Sequence, residues 1–339
     1  MITNICLVGA GRAGNFHAES IMRHKGINLA MIVDSNKKKG IEFATNYNTV
    51  HYESLSYVLT DLSHLCNAVI IATTTPTHYD LVMLSLKANK HVLCEKPLGT
   101  TEQIKECYQL ANDQKLHLLI GFQKRFDNNY RALLQKTLLT KSSLPHHIRF
   151  VTRDYPVPSS QYLSSSNGIV EDMLSHDIDQ AYLFMNGQTP KKVIAFNSTE
   201  LDVLKNINEI EHITVMMQYA KGQIITIEGS RTADYGYDQR VEVFTGDKPN
   251  KVIQMNNVLN STVETYSRQG IILDEINESF PQRYTATYLY ELEYFINMIN
   301  ENIDIQTDKL YTDLNAMLYN VNVCHAINKS IATGKVIYL

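Results

Sequence analysis

The segment from Glu171 to Asp179 carries an imidazole and several carboxylates at helical spacing. At about 100° per residue, Asp172, His176 and Asp179 fall on one stripe of a helix, and apolar side chains form the opposite face. Asp172 and His176 are four residues apart, so their side chains can touch. A carboxylate beside an imidazole orients the ring and stabilises its cation, which is what a general base requires.

Two other interpretations of this stripe stay open at the level of sequence. Periodicity alone favours a solvated polar face on a surface helix. His176 with two aspartates could also bind a metal ion, but no second histidine stands at ligand spacing. We therefore expect no metal at this site.

Two further segments follow apolar runs that are typical of buried strands. Thr73–His78 follows one run, and Glu95-Lys96-Pro97 follows the next. The carboxyl ends of parallel strands meet at the ligand-binding edge of a sheet. The amine of Lys96 could there hold a substrate hydroxyl and stabilise a developing alkoxide. Spacing alone favours an ordinary loop cation at Lys96, and it is the preceding apolar strand that favours a place near the cofactor. Pro97 allows a cis peptide bond that the sequence does not decide.

The turn Gly9-Ala10-Gly11-Arg12-Ala13-Gly14 has the G-x-G-x-x-G pattern, follows an apolar run and opens a helical stretch. This context is typical of dinucleotide binding, because the N–H groups at the helix start attract phosphates. Asp34 ends the next apolar run, where a carboxylate can bind ribose hydroxyls and repel a 2′-phosphate. The pattern therefore favours NAD over NADP, although a lysine among Lys37–Lys39 could offset Asp34. A glycine-rich turn beside a surface acid would explain the same residues without a cofactor.

Alternating strands and helices are needed to position these residues. Short apolar runs predict parallel strands that are buried on both faces, and the stretches between them have helical periodicity. The strands are expected at Ile5–Val8, Leu29–Val33, Ala68–Ala72, His91–Cys94 and Leu116–Ile120, and the helices at Gly14–His24, Lys37–Tyr47, Tyr79–Asn89 and Thr101–Gln114. This alternation predicts an α/β fold, with residues 1–123 forming a doubly wound Rossmann domain.

Residues 124–339 predict a second domain, of α+β type, with an open and mostly antiparallel sheet. Its strands are expected at His147–Arg153, Lys192–Asn197, His212–Tyr219, Gln223–Ser230 and Arg240–Thr245, and its helices at about Asp127–Leu139, Val170–Met185, Gln282–Glu301 and Asp308–Thr333. Lys221-Gly222 is typical of a hairpin turn. The two C-terminal helices could pack back on the first domain.

Composition excludes several classes of protein. With 339 residues and 44% hydrophobic residues, the chain can bury a sizeable core and is not disordered. A net charge of −4 is too weak to attract nucleic acid or an anionic membrane. No apolar stretch approaches the roughly 18 residues of a membrane span, and we expect no secretory signal before Ile5. The five cysteines are odd in number and widely spaced, so we expect reduced thiols in a cytoplasmic protein.

Four motifs occur in an order that resembles the glucose–fructose oxidoreductase, inositol dehydrogenase and MocA family. They are the glycine-rich turn, Cys94–Leu98, Gly121–Asp127 and the helix that carries Asp172 and His176-Asp177. The inositol 2-dehydrogenase branch is the most similar, on the segments Arg153-Asp154, Tyr235–Phe244 and Arg283-Tyr284. The resemblance implies a Rossmann domain joined to an open α/β domain whose sheet often mediates assembly, so a homodimer or homotetramer is expected.

The resemblance also implies roles for individual residues. It assigns catalysis to Lys96, Asp172 and His176. The residues expected at the cofactor are Gly9, Gly11, Arg12, Ala13, Asp34, Thr73, Thr75, Pro76, His78, Glu95 and Lys96. The residues expected at the substrate are Lys96, Asp154, Asp172, His176, Tyr235 and Tyr237. The chain departs from its relatives at Asn167-Gly168, where two glycines are usual, and at Tyr155, which is inserted before Pro156.

The reaction that the resemblance implies is oxidation of a secondary alcohol of a cyclic polyol, with hydride transfer to NAD. The expected substrate is myo-inositol and the product 2-keto-myo-inositol. His176 would accept the hydroxyl proton, Asp172 would orient His176, and Lys96 would donate to the same oxygen. An aldose, a dihydrodiol or a sugar derivative remains an alternative substrate. A metal-dependent hydrolase and a non-catalytic dinucleotide sensor are further alternatives, but a sensor would be expected to lack Lys96 or His176.

Overall fold

The computed structural model describes residues 2–138, 144–164, 166–246 and 251–339. The chain divides into two compact units. The first contains residues up to Asp127 together with Thr285–Leu318, and the second contains Asn128–Tyr284 and Tyr319–Leu339.

The first unit contains a six-stranded parallel sheet. Its strands are β1 (Thr3–Val8), β2 (Ile27–Val33), β3 (Val50–Tyr52), β4 (Ala68–Ile71), β5 (His91–Glu95) and β6 (Leu118–Gly121). The order β3-β2-β1-β4-β5-β6 reverses between β1 and β4, which is where doubly wound sheets bind nucleotides. The predicted doubly wound sheet is confirmed. Strand β3 was not predicted because it has only three residues and none of them is buried.

Helices connect these parallel strands, as the apolar periodicity predicts. They are α1 (Arg12–Arg23), α2 (Lys37–Asn46), α3 (Leu55–Asp61), α4 (His78–Lys87) and α5 (Thr101–Asp113). The strand side chains that they cover are fully buried, as at Ile5, Leu7, Ile70 and Leu93. Helix α5 begins with a capping box in which Thr100 and Gln103 satisfy each other's backbone N–H groups.

The second unit contains a seven-stranded sheet in the order β12-β11-β7-β10-β9-β8-β15. Its strands are β7 (His147–Arg153), β8 (Lys192–Ser198), β9 (His212–Gln218), β10 (Ile224–Ser230), β11 (Asp238–Phe244), β12 (Val252–Met255) and β15 (Ile337–Tyr338). The pair β7–β10 is parallel and the other neighbours are antiparallel, so the expected mostly antiparallel sheet is confirmed. A separate hairpin joins β13 (Thr265–Ser267) to β14 (Gly270–Ile272).

The remaining helices are α6 (Asn128–Leu138), α7 (Ser160–Leu163), α8 (Ser175–Phe184), α9 (Asp202–Lys205), α10 (Phe280–Ile299) and α11 (Leu314–Thr333). The predicted end of the sixth helix, Leu139, lies outside the described residues. The last helix begins at Leu314 and not at Asp308, because Asp313 Oδ1 accepts a hydrogen bond from Ala316 N at 2.7 Å and caps the helix there.

One face of the second sheet forms the core of its unit. Ile213, Val215 and Met217 alternate along β9 and are almost completely buried, together with Ile178 of α8 and Ile327 of α11. The predicted hairpin at Lys221-Gly222 is confirmed: β9 and β10 pair in antiparallel fashion, and Gly222 has a φ of +85°. Within the described residues, no helix is both long and apolar enough to cross a membrane.

Candidate active site

The glycine-rich turn joins β1 to α1. At two of its glycines, neighbouring backbone atoms of the first unit leave no room for a Cβ. Gly9 has a φ of +107°, and a Cβ there would lie 2.5 Å from Ala72 O. A Cβ on Gly14 would lie 2.0 Å from Gly9 O. Apart from its chain neighbours and the backbone of its own helix, no atom of the described residues lies within 4 Å of the ideal Cβ of Gly11. The space beside Gly11 is therefore open at the start of α1, where a phosphate would meet the N–H groups of the first helical turn.

Asp34, at the end of β2, lies against this turn. Its Oδ2 accepts a hydrogen bond from Ala10 N at 2.8 Å, and its Oδ1 accepts one from Asn36 N at 2.7 Å. Lys37, which could have offset this charge, lies 3.6 Å from Glu53 Oε1 in an exposed ion pair. An open glycine-rich turn at a helix start, with a carboxylate at the end of the next strand bound to it, fits a dinucleotide.

The loops after β4 and β5 are joined by His78, the first residue of α4. Its Nδ1 lies 2.7 Å from Pro97 O and its Nε2 3.1 Å from Thr73 O, and its side chain is buried. His78 thus fixes the two loops to each other through their backbones. Thr75 and Pro76 form the short turn that leads into α4.

Lys96 directly follows β5 and is half-buried, and its peptide bond with Pro97 is cis. The preceding residue, Glu95, accepts a hydrogen bond at its Oε1 from His17 Nε2 of α1 at 2.9 Å. Strands β1, β4 and β5 are neighbours in the sheet. The glycine-rich turn, the Thr73–His78 loop and Lys96 therefore lie side by side at one edge of the first unit.

In the second unit, the buried side chain of Arg231 joins three carboxylates. Its Nη1 lies 3.1 Å from Asp154 Oδ2 and 2.9 Å from Asp172 Oδ2, and its Nε lies 3.0 Å from Glu209 Oε1. Burial by itself lowers the pKa of the Arg231 guanidinium, but Asp172, Asp154 and Glu209 together raise it. Burial raises the pKa of Glu209, and Arg231 offsets part of that shift. A permanent cation therefore sits between Asp154 and Asp172.

The segment that carries Asp172 is not a regular α-helix. Val170–Leu174 forms a π-helical turn, and the α-helix α8 begins only at Ser175. The single α-helix expected over Val170–Met185 is therefore wrong in its first part, and the spacing of 100° per residue does not apply there. Asp172 Oδ1 accepts a hydrogen bond from Tyr162 at 2.7 Å. The orienting role of Asp172 toward His176 stays a prediction.

Burial decides between two interpretations of the polar stripe. His176 is 8% exposed and Asp179 is 1% exposed. The solvated-face interpretation is therefore wrong. Polar side chains on this helix are held inside the protein, where they need partners. Among the described residues, no group of three or more His, Cys, Asp or Glu side chains could hold a metal ion.

The two tyrosines expected at the substrate differ in their surroundings. Tyr237 is buried, and its ring lies edge-on to Tyr284 and Phe280. Burial raises the pKa of Tyr237 well above its ordinary value, with Tyr284 and then Asp154 adding to the shift. Tyr235 is 55% exposed, and its hydroxyl donates to Asp238 Oδ2 at 2.6 Å. The charge of Asp154 thus acts on Tyr237, whereas the hydroxyl of Tyr235 is bound to Asp238 and Arg153.

Sequence analysis missed Arg231, Glu209 and Tyr162. The signal for Arg231 lies in strand pairing: β7 and β10 run parallel with Arg153 opposite Ser230, so Asp154 and Arg231 leave the sheet side by side. The sequence predicts that both strands exist but does not reveal that they pair in parallel. Arg231 therefore could not be connected to Asp154 in advance.

Comparison with known proteins identifies the family. Residues 3–122 match the model of an oxidoreductase family with an NAD-binding Rossmann fold, and residues 144–248 match the C-terminal domain of the same family. The chain is 30% identical to inositol 2-dehydrogenase from Rhizobium meliloti over 90% of this chain and 91% of the relative. The chain belongs to the Gfo/Idh/MocA family. It is thus an oxidoreductase with an NAD-binding first unit.

Other members of the Gfo/Idh/MocA family are similarly close. The chain is 32% identical to myo-inositol 2-dehydrogenase from Thermotoga maritima, with 87% of each protein covered. The crystal structure of a myo-inositol dehydrogenase from Corynebacterium glutamicum matches with a TM-score of 0.88 and 25% identity, covering 100% of this chain and 99% of that one. The expected family and fold are confirmed.

Proposed function

We propose that this protein is an NAD-dependent dehydrogenase that oxidises a secondary alcohol of a cyclic polyol to a ketone. The first candidate substrate is myo-inositol, giving 2-keto-myo-inositol. The dehydrogenases from R. meliloti and T. maritima, which match most of this chain, carry names that state this chemistry. The observation that carries the proposal is the pair Asp154 and Asp172 held at one guanidinium, because anchored carboxylates can accept hydrogen bonds from several hydroxyl groups of one ring.

In this proposal, each polar residue has a defined task. When bound, NAD supplies the hydride acceptor. His176 accepts the proton of the reacting hydroxyl, and Asp172 orients the imidazole and stabilises its cation. Lys96 donates to the same oxygen and lowers the free energy of its alkoxide character.

The coenzyme preference is part of the same proposal. Asp34, at the end of β2, binds Ala10 N of the glycine-rich turn, which supports a contact of its carboxylate with the adenine ribose of a dinucleotide. A 2′-phosphate would be repelled there. We expect NAD to be used in preference to NADP.

A panel assay tests the proposal. The protein is incubated with NAD or NADP and with myo-inositol, its stereoisomers, an aldose or a dihydrodiol, and the absorbance of the reduced coenzyme is followed. The expected result is reduction of NAD, fastest with an inositol. Reduction with the aldose or dihydrodiol alone would favour the alternative substrates, and NAD binding without any turnover would favour a dinucleotide sensor.

A further inference from the structure

A buried acid in the first unit has no role in the proposed reaction. Glu291 on α10 is 0% exposed. Neither of its carboxyl oxygens has a hydrogen-bond partner among the described residues. A charged carboxylate in this position would be desolvated without compensation, which is strongly unfavourable.

A second carboxyl group faces the same space. The ideal Cβ position of Gly121 lies 3.5 Å from Glu95 Oε2 and 3.6 Å from Glu291 Oε1. The missing side chain of Gly121, at the end of β6, thus leaves a small space that both acids border. The other oxygen of Glu95 is bound to His17, whose ring lies edge-on to Tyr288 with centroids 5.3 Å apart. The titratable groups that meet here are Glu291, Glu95, His17 and Tyr288.

These contacts decide which acid keeps the charge. Glu95 has an imidazole partner, which stabilises its carboxylate. A second negative charge across the same small space would be repelled. Burial, followed by the charge of Glu95, raises the pKa of Glu291 well above its ordinary value. Glu291 in its neutral form has one O–H to donate, and Glu95 Oε2, which borders the same space, can accept it directly or through one water molecule.

We propose that Glu291 is a positioning residue: a neutral carboxylic acid whose proton is shared with Glu95 and fixes the strand end that carries Lys96. The inference rests on the role proposed above for Lys96. Glu95 is then held by His17 from α1 and by Glu291 from α10. Because α1 begins at the glycine-rich turn, one buried network ties the phosphate-binding turn to the proposed catalytic lysine.

Infrared spectroscopy tests the protonation state directly. A difference spectrum between the wild type and Glu291→Gln at neutral pH is expected to contain the C=O stretch of one carboxylic acid. Glu293→Gln is the matched control, since Glu293 lies on the same helix but is partly exposed. Its difference spectrum should show the loss of carboxylate bands and no C=O stretch of a carboxylic acid. A Glu291→Gln spectrum that likewise lacked the carboxylic-acid stretch would overturn the proposal.

The pH dependence of stability gives an independent readout. Glu291 has a higher pKa in the folded protein than in the unfolded chain, where it is near the ordinary 4.5. Above that pH the unfolded chain releases the proton more readily, so the wild type loses stability as the pH rises. Relative to Glu291→Gln, its unfolding constant should increase by up to about tenfold per pH unit. Curves that stay parallel from pH 5 to pH 8 would contradict a neutral Glu291.

Activity tests the positioning role. Glu291→Gln keeps a neutral donor and is expected to retain kcat, whereas Glu291→Leu removes the donor and should lower kcat about tenfold. A folded Glu291→Leu protein with full kcat would overturn the positioning role; if that variant does not fold, the spectrum and the stability curves decide. Full activity in Lys96→Met would instead overturn the proposed role of Lys96. The infrared spectrum and the stability curves do not depend on that role.

Discussion

At the scale of single residues, the second unit gathers its buried charge around one side chain. Arg231 is 1% exposed and binds Asp154, Asp172 and Glu209. Three carboxylates against one guanidinium leave the cluster with a net negative charge. Arg231 therefore both stabilises the fold and fixes the two carboxylates that are proposed to meet the substrate.

Replacing Arg231 by methionine would leave three carboxylates without their shared cation. The free energy of unfolding at pH 7 is expected to fall by about 3–5 kcal/mol, the usual effect of removing one partner from a buried ion pair. The decrease in the free energy of unfolding should be smaller at pH 5, where the carboxylates that have lost their cation bind protons more readily. Urea denaturation at both pH values measures it.

Arg149→Met is the control for this prediction, because Arg149 is 39% exposed and pairs with Glu228 at the surface of the sheet. Its expected effect is about 1 kcal/mol or less. An equal decrease in the free energy of unfolding for the two variants would show that the buried Arg231 ion pairs stabilise the protein no more than a surface pair does.

His176 carries the sharpest prediction about catalysis. Because His176 is the proposed general base, its replacement by alanine should lower turnover by about 10²–10⁴-fold and leave the affinity for NAD little changed. Steady-state kinetics and calorimetric titration with NAD separate the two effects. His212→Ala, at a histidine whose side chain is 48% exposed, should behave as wild type. Full turnover in His176→Ala would require another base.

At the scale of elements, the π-helical turn and strand β10 depend on each other. A Cβ on Gly229 would lie 2.7 Å from Leu174 Cδ2 and 2.9 Å from Ile213 Cγ2. Glycine at this position in β10 lets Val170–Leu174 pack directly onto the sheet. The close packing sets the position of Asp172, which lies within that turn.

Gly229→Ala is therefore expected to lower the free energy of unfolding by about 1–3 kcal/mol, as overpacking usually does. Because the turn that carries Asp172 must shift, turnover should fall as well. Gly11→Ala serves as the control, measured without NAD, since beyond its chain neighbours and its own helix backbone its Cβ would have no atom of the described residues within 4 Å. That change should cost about 1 kcal/mol at most, as a helix N-cap substitution. Equal stability of the two variants would contradict this account of the packing.

At the scale of the whole molecule, the open face of the second sheet is the surface that the family resemblance assigns to assembly. Phe196 and Met216 are 66% and 45% exposed, and Phe244 and Val252 are also exposed. The register places Ile194 beside Met216 and Phe244 beside Val252, which gives two apolar areas on this face. Assembly as a dimer or tetramer and a cytoplasmic location stay predictions, as does the division of the chain between residues 123 and 124.

Met216→Glu should weaken assembly, because a charge would be buried when this face is covered. Analytical ultracentrifugation is expected to show a dimer or tetramer for the wild type and a smaller species for the variant. Ile41→Glu on α2 of the first unit is the control, since Ile41 is 49% exposed and lies outside this sheet. A monomeric wild type, or a variant that keeps its size, would exclude assembly through this face.

The sequence by itself determined the features that depend on neighbouring residues. Apolar runs predict the parallel strands, because buried strands need apolar side chains on both faces. The pattern Gly9–Gly14 predicts the turn, because its backbone excludes a Cβ at Gly9 and Gly14. Lys221-Gly222 predicts the hairpin for the same kind of reason, since Gly222 takes a positive φ.

The tertiary structure alone decided which distant groups share a buried site. Arg231 meets Asp154 only because β7 and β10 pair in parallel, and Glu291 faces Glu95 only because α10 returns to the first unit. The π-helical turn likewise depends on Gly229, which lies more than 50 residues later in the chain. Local sequence patterns indicate whether a segment is buried. Which charged side chains pair depends on strand register and on which of them are buried away from water by packing.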